Sequence, residues 1–210
     1  MEIHTWLAFV AASTALLLVP GPTILLVCSY ALSHGRTVAV STALGVALGD
    51  LIAMSASLLG LGALVLMSAT LFTALKWVGA AYLIYLGYMM IKGAGGPGVI
   101  PTREAERAGS RRVFAHAAAV TALNPKSIGF FIAFVPQFVD PNSDLMPQFA
   151  ILVATFVGLA AFNALAYALL ADRFRQHVSN PGYLVRLSRM SGGVLVAMGI
   201  ATLTLRRANS

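Results

Sequence analysis

The apolar and polar positions of the chain alternate in long blocks: hydrophobic runs separated by short polar interruptions. A helix that crosses a bilayer needs about 20 mainly apolar residues. Six windows supply that many, at roughly 5–29, 38–66, 71–91, 113–138, 147–171 and 188–205. The pattern predicts an all-α membrane protein of six transmembrane helices. The first window is read as a mature helix rather than a signal peptide, because no basic segment precedes it (Met1, Glu2, Ile3, His4) and its long apolar run carries Pro20 and Pro22.

The least membrane-like stretch, KGAGGPGVIPTREAERAGSRR at residues 92–112, divides the spans three and three. It reads as a linker between two halves, 1–91 and 113–210. An odd number of spans in each half means that a repeat would lie upside down relative to its partner. Three correspondences support such a repeat. Each half opens on an interrupted helix, LVPGPTILL and ALNPKSIGF; Asp50 and Asn163 sit within the second span of each; Lys76, Gly79 and Gly87 parallel Arg189, Gly192 and Gly199 in the third. The expected architecture is two inverted three-helix repeats, with helices 1 and 4 broken at proline.

Those breaks are where chemistry is expected. Proline lacks an N–H and clashes with the carbonyl four residues earlier. In hydrocarbon, backbone groups freed in this way are tolerated only inside protein or along a cavity. Asn124 suits the cap of a new helical segment and Pro125 its first position. The new N-terminus offers spare N–H donors, and Lys126 adds a full positive charge, which together suit an anion. In VPGPT, Gly21 permits close approach and Pro22 restarts a helix.

An acid in an apolar run costs about 2.5 to 3.5 kcal/mol on insertion scales. Asp50 is therefore expected to face the bundle interior, with Lys126, a substrate ammonium or a proton as its partner. Gly45 and Gly49 form a GxxxG just before it, which fits packing inside one bundle, with a homodimer face as the alternative. Asn163 needs a partner away from lipid and is a second cavity candidate. Lys76 is read as snorkelling to the interface. Trp6, Trp77, Tyr30 and Tyr88 are read as interfacial anchors, and His116 as a loop-edge histidine without a role.

Composition agrees with this reading: 59% of the 210 residues are hydrophobic and 10% charged, and the mean hydropathy is +0.84. The net charge of +7 does not point to nucleic acid, because ten of the 14 Lys and Arg residues fall in loops one-two, three-four and five-six. By the positive-inside rule those loops are cytoplasmic, facing membrane lipid, and both termini are periplasmic. One cysteine excludes an intrachain disulfide and a CxxC redox pair. No GxSxG, HExxH or His cluster suggests an enzyme, a cofactor or a metal centre.

At these residues the chain resembles the LysE/RhtB amino-acid exporters, the lysine exporter and homoserine/threonine resistance family. The matching pieces are PGPTILLV, GVALGD, KWVGAAYLIYLGYMMIKG and NPKSIGFFIAFVPQFV, in the family's order and spacing over most of the first 140 residues. The PGP of the first span is nearer the RhtB side. The resemblance implies a bacterial inner-membrane exporter of amino acids or close derivatives, driven by proton exchange. It also implies that Asp50 is an essential intramembrane acid and that Pro20, Gly21, Pro22, Asn124 and Pro125 belong to the pathway. An exporter or channel for a metal or other small inorganic ion is the alternative.

Overall fold

A computed structural model describes residues 1–19, 21–67, 69–93, 109–140, 142–178 and 181–204. Pro20, the body of the linker (94–108) and the side chain of Lys76 lie outside the described residues. In chain order the helices are α1 (Ile3–Leu18), α2 (Pro22–His34), α3 (Ala39–Met67), α4 (Ala69–Lys92), α5 (Ser110–Ala122), α6 (Pro125–Ala133), α7 (Leu145–Val178) and α8 (Pro181–Thr204). Short 3-10 turns at Gly35–Val38 and Val135–Phe138 join α2 to α3 and extend α6.

Proline sets both interruptions. Pro22 is the first residue of α2, and α1 meets α2 at 54°. Pro125 opens α6 behind the cap residue Asn124, and α5 meets α6 at 44°. Each interruption is followed by two long helices. Among the described residues, two helices are long and apolar enough to cross a membrane alone, Arg36–Gly60 and Leu145–Ala171, and four if each bent pair counts as one span. Hydropathy understates two helices. α7 continues to Val178, past the apolar window, and α8 begins at Pro181 rather than near 188.

The interior buries apolar residues such as Phe9, Met54, Phe130 and Phe156, but polar ones are buried beside them and large apolar ones face out. Phe162 is 72% exposed while its neighbour Asn163 is 9% exposed, and Leu44, Leu59, Trp77, Val78 and Tyr85 also face outward. Thr23, Asp50, Thr121, Asn124, Lys126 and Ser127 are all buried. With lipid outside, apolar side chains need no shelter and polar ones do, so the chain turns its polar residues inward. It is a multi-pass membrane protein whose described elements are all helical.

Small residues set how closely the helices approach. A Cβ on Gly45 would lie 2.5 Å from the Phe114 carbonyl oxygen, and one on Gly49 2.6 Å from that of Ala118. The GxxxG thus packs against α5 of the same chain, inside one bundle. Gly87 and Gly192 bring α4 and α8 together in the same way. Beyond these contacts lies an aromatic cluster in which Phe130 stacks on Phe134 at 5.3 Å and Phe131 meets Phe156 edge-on at 4.8 Å.

Two of the expected interfacial anchors have other roles. Tyr30 is buried, and its hydroxyl is 2.7 Å from Nδ1 of His116, tying α2 to α5; His116 is therefore not idle. Trp6 donates its indole N–H to Thr155 of α7 at 3.0 Å. Trp77 and Tyr88 are more than half exposed, as anchors should be.

Candidate functional site

The two breaks meet. Asn124 accepts the Lys126 N–H at 3.0 Å, the expected cap of α6. Its Nδ2 donates to the Thr23 hydroxyl at the start of α2, also at 3.0 Å, and the Thr121 hydroxyl approaches the same oxygen at 3.4 Å. One threonine of the first break is therefore held by two residues of the second. The first N–H groups of any helix lack intrahelical partners, so the starts of α2 and α6 bring donors and the positive ends of two helix dipoles to one place.

The end of α1 brings the opposite polarity. The last four carbonyls of a helix have no intrahelical acceptor role left to fill, and here each finds a side chain. Lys126 Nζ donates to Leu16 O at 2.8 Å and to Val19 O at 2.6 Å. Asn163 Nδ2 donates to Leu17 O, and the Tyr167 hydroxyl to Leu18 O, both at 3.0 Å. Four consecutive carbonyls are thus closed by three side chains from α6 and α7. The cation sits where a helix carries its partial negative charge, which accounts for a buried ammonium at this point.

Asp50 faces the same space from α3 and is 2% exposed. Lys126 and Ser127 of α6 are its interacting neighbours. It does not form an ion pair with Lys126, and its Oδ1 is buried without a hydrogen-bond partner. Of the three partners open to Asp50, Lys126 lies nearby, with its ammonium donating to the α1 carbonyls. An orphaned carboxylate oxygen beside a buried cation is costly unless a proton or another donor completes it.

These groups surround one cavity of about 30 Å³, lined by Leu16, Leu17, Gly21, Thr23, Ile24, Val46, Asp50, Asn124, Lys126, Ser127, Ala160 and Asn163. Of the residues expected at a site, Asp50, Lys126, Asn124, Gly21 and Asn163 line it. Pro22 and Pro125 start the two helices that reach it, and Pro20 lies outside the described residues. Thr23, Ser127 and Tyr167 were not anticipated. Tyr167 had a readable signal, since it follows Asn163 by four residues and so lies on the same helix face.

Comparison with known proteins covers nearly the whole chain. The family model of the LysE type translocators matches residues 14–206. A homoserine/homoserine lactone efflux protein of Salmonella typhimurium is 32% identical over 208 residues, covering 99% of this chain and 100% of its own. An uncharacterized membrane protein of Vibrio cholerae is 31% identical over 206 residues, 98% of this chain and 100% of that one. A leucine efflux protein of Enterobacter sp. (strain 638) is 28% identical over 176 residues, 82% and 81% of the two chains. No solved structure matches. With both broken helices, the buried acid and nearly the whole length inside the match, the chain belongs to the LysE type translocator family.

Proposed function

We propose that the chain is a secondary active exporter that moves an amino acid or close derivative out across the bacterial inner membrane in exchange for protons. One observation carries the reading: the N-terminal ends of α2 and α6, the C-terminal end of α1 and the buried Asp50 all face one cavity. A zwitterion needs both polarities within a few ångströms, and this arrangement offers them. The cargo carboxylate takes the N–H-bearing ends near the Lys126 charge, and Asp50 takes a proton or the cargo ammonium. The names of the relatives support cargo of the homoserine or leucine kind and an outward direction.

The cavity is far smaller than the 300–1,000 Å³ of ordinary ligand pockets, so the site must open for cargo. Alternating access supplies that opening: residues 1–91 and 113–210 act as two inverted three-helix repeats that rock about the cavity. The linker 92–112 is cytoplasmic and both termini periplasmic, as the Lys and Arg distribution implies. An inorganic cation finds less to hold it here, since among the described lining residues Asp50 is joined by no imidazole and no thiol.

The test is efflux from proteoliposomes loaded with radiolabelled homoserine or leucine, under an imposed pH gradient. Saturable efflux accelerated by the gradient is expected. Flux indifferent to the gradient would remove the proton coupling, and no flux of either amino acid would remove the cargo class.

A further inference from the structure

We propose that the carbonyl cluster at the end of α1 is a binding site for a primary ammonium, and that Lys126 is its tethered occupant, which incoming cargo must displace. The inference rests on the transport reading only for its choice of cargo. Four carbonyls in succession, from Leu16 to Val19, point their acceptors at side chains of α6 and α7. Two of the four converge on a single nitrogen, Lys126 Nζ. An alkylammonium has three N–H donors, and the α-ammonium of an amino acid presents the same three. The site is thus already solved for the charged group that cargo carries.

Space argues for displacement rather than joint occupancy. The cavity left beside the lysine is about 30 Å³, far below the volume of ordinary ligand pockets. The lysine stem fills what remains: a Cβ on Gly21 would lie 3.2 Å from Lys126 Cδ and 3.7 Å from its Nζ. Gly21 leaves room for that stem, and cargo cannot enter while the stem is there.

The lysine also has somewhere to go. Asp50 interacts with it electrostatically, and Asp50 Oδ1 is buried and unpartnered. Moving Nζ from the carbonyls to this carboxylate exchanges one set of acceptors for another. It leaves neither charge isolated while the cargo ammonium takes over Leu16 O and Val19 O. Cargo binding and the formation of an Asp50–Lys126 ion pair are then a single event, in which a proton held by Asp50 leaves it for water.

The experiment uses the full chain in detergent micelles with Lys126→Ala, which removes the ammonium and three methylenes. Propylammonium, the missing fragment, is expected to raise the unfolding midpoint of the variant saturably, by several degrees. Propanol should not, and the wild-type protein, in which Lys126 already fills the site, should respond to propylammonium only at higher concentration. Equal responses to propylammonium and propanol would overturn the proposal.

Should Lys126→Ala fail to fold, the wild-type protein in proteoliposomes decides. Propylammonium is expected to raise the KM for homoserine efflux at least twofold without changing the maximal rate, and the absence of that rise overturns the proposal. If the wild-type protein moves no amino acid, the transport reading fails, while the amine-specific stabilisation of Lys126→Ala still decides the ammonium site.

Discussion

The Lys126 ammonium lies 2.6 Å from the carbonyl oxygen of Val19, so a cation from the second half of the chain closes the helix end left open in the first. This bond explains how lysine is held in an apolar bundle without an ion pair. A helix C-terminus carries roughly half a negative charge, concentrated on its free carbonyls. It also couples the two breaks: whatever moves Lys126 frees the end of α1.

The other two caps of α1 should matter for stability. Asn163→Leu and Tyr167→Phe each strip one carbonyl of its donor. Hydrogen bonds between membrane helices average about 0.6 kcal/mol and reach about 1.7. Each substitution is expected to cost about 1 kcal/mol, read as a lower midpoint in denaturant unfolding in micelles. A combined loss different from the sum would show that the caps hold α1 as a unit.

Close packing makes a sharper contrast. Gly45→Ala places a Cβ 2.5 Å from the Phe114 carbonyl oxygen, whereas a Cβ at Gly158 meets nothing within 4 Å. Gly45→Ala is expected to destabilise by about 1–3 kcal/mol, the usual range for overpacking. Gly158→Ala is expected to be neutral or to stabilise by up to about 1 kcal/mol through helix propensity. Equal thermal shifts in the two variants would contradict the α3–α5 contact.

Both breaks and the acid were legible in the sequence, because proline and a lone carboxylate in an apolar run are local signals whose cost must be met by a cavity or partner. Asn163 was legible for the same reason. The direction in which Lys126 turns was not. The residue lies one position past Pro125 and near Asp50, and only the path of α1 decides that its carbonyls are closer than the carboxylate. Tyr30 looked like an interfacial ring, yet it is paired with His116 across 86 positions of sequence. Helix ends were also blurred, since α7 and α8 run past their apolar windows.

The loop before α7 provides a pH-dependent element. Asp140 accepts the Asn142 N–H at 2.9 Å and the Ser143 hydroxyl at 2.7 Å, which hold its carboxyl below the usual carboxylate range. A depressed folded pKa gives stabilisation that is complete above the unfolded value of about 3.9 and lost as pH falls through the folded one. Once rates are corrected for intrinsic pH dependence, protection of the Asn142 amide against hydrogen exchange is expected to fall with acidification in the wild-type protein. Asp140→Asn should remove that dependence.

From the first turn of α7, Gln148 accepts the Asp140 N–H at 2.9 Å and donates to Asp140 O at 2.9 Å and Asp144 O at 3.1 Å. Gln148→Leu leaves those groups to find other partners. It is expected to cost about 1–3 kcal/mol, read by unfolding in micelles at neutral pH.

The central claim is that Asp50 couples a proton to cargo at the junction of the two broken helices. It is tested most directly by Asp50→Asn in proteoliposomes loaded with homoserine, with efflux followed with and without an imposed pH gradient and folding checked by the unfolding midpoint. The account predicts a folded protein whose gradient-driven efflux falls to the level of protein-free vesicles. Wild-type, gradient-driven efflux from the same variant would contradict it.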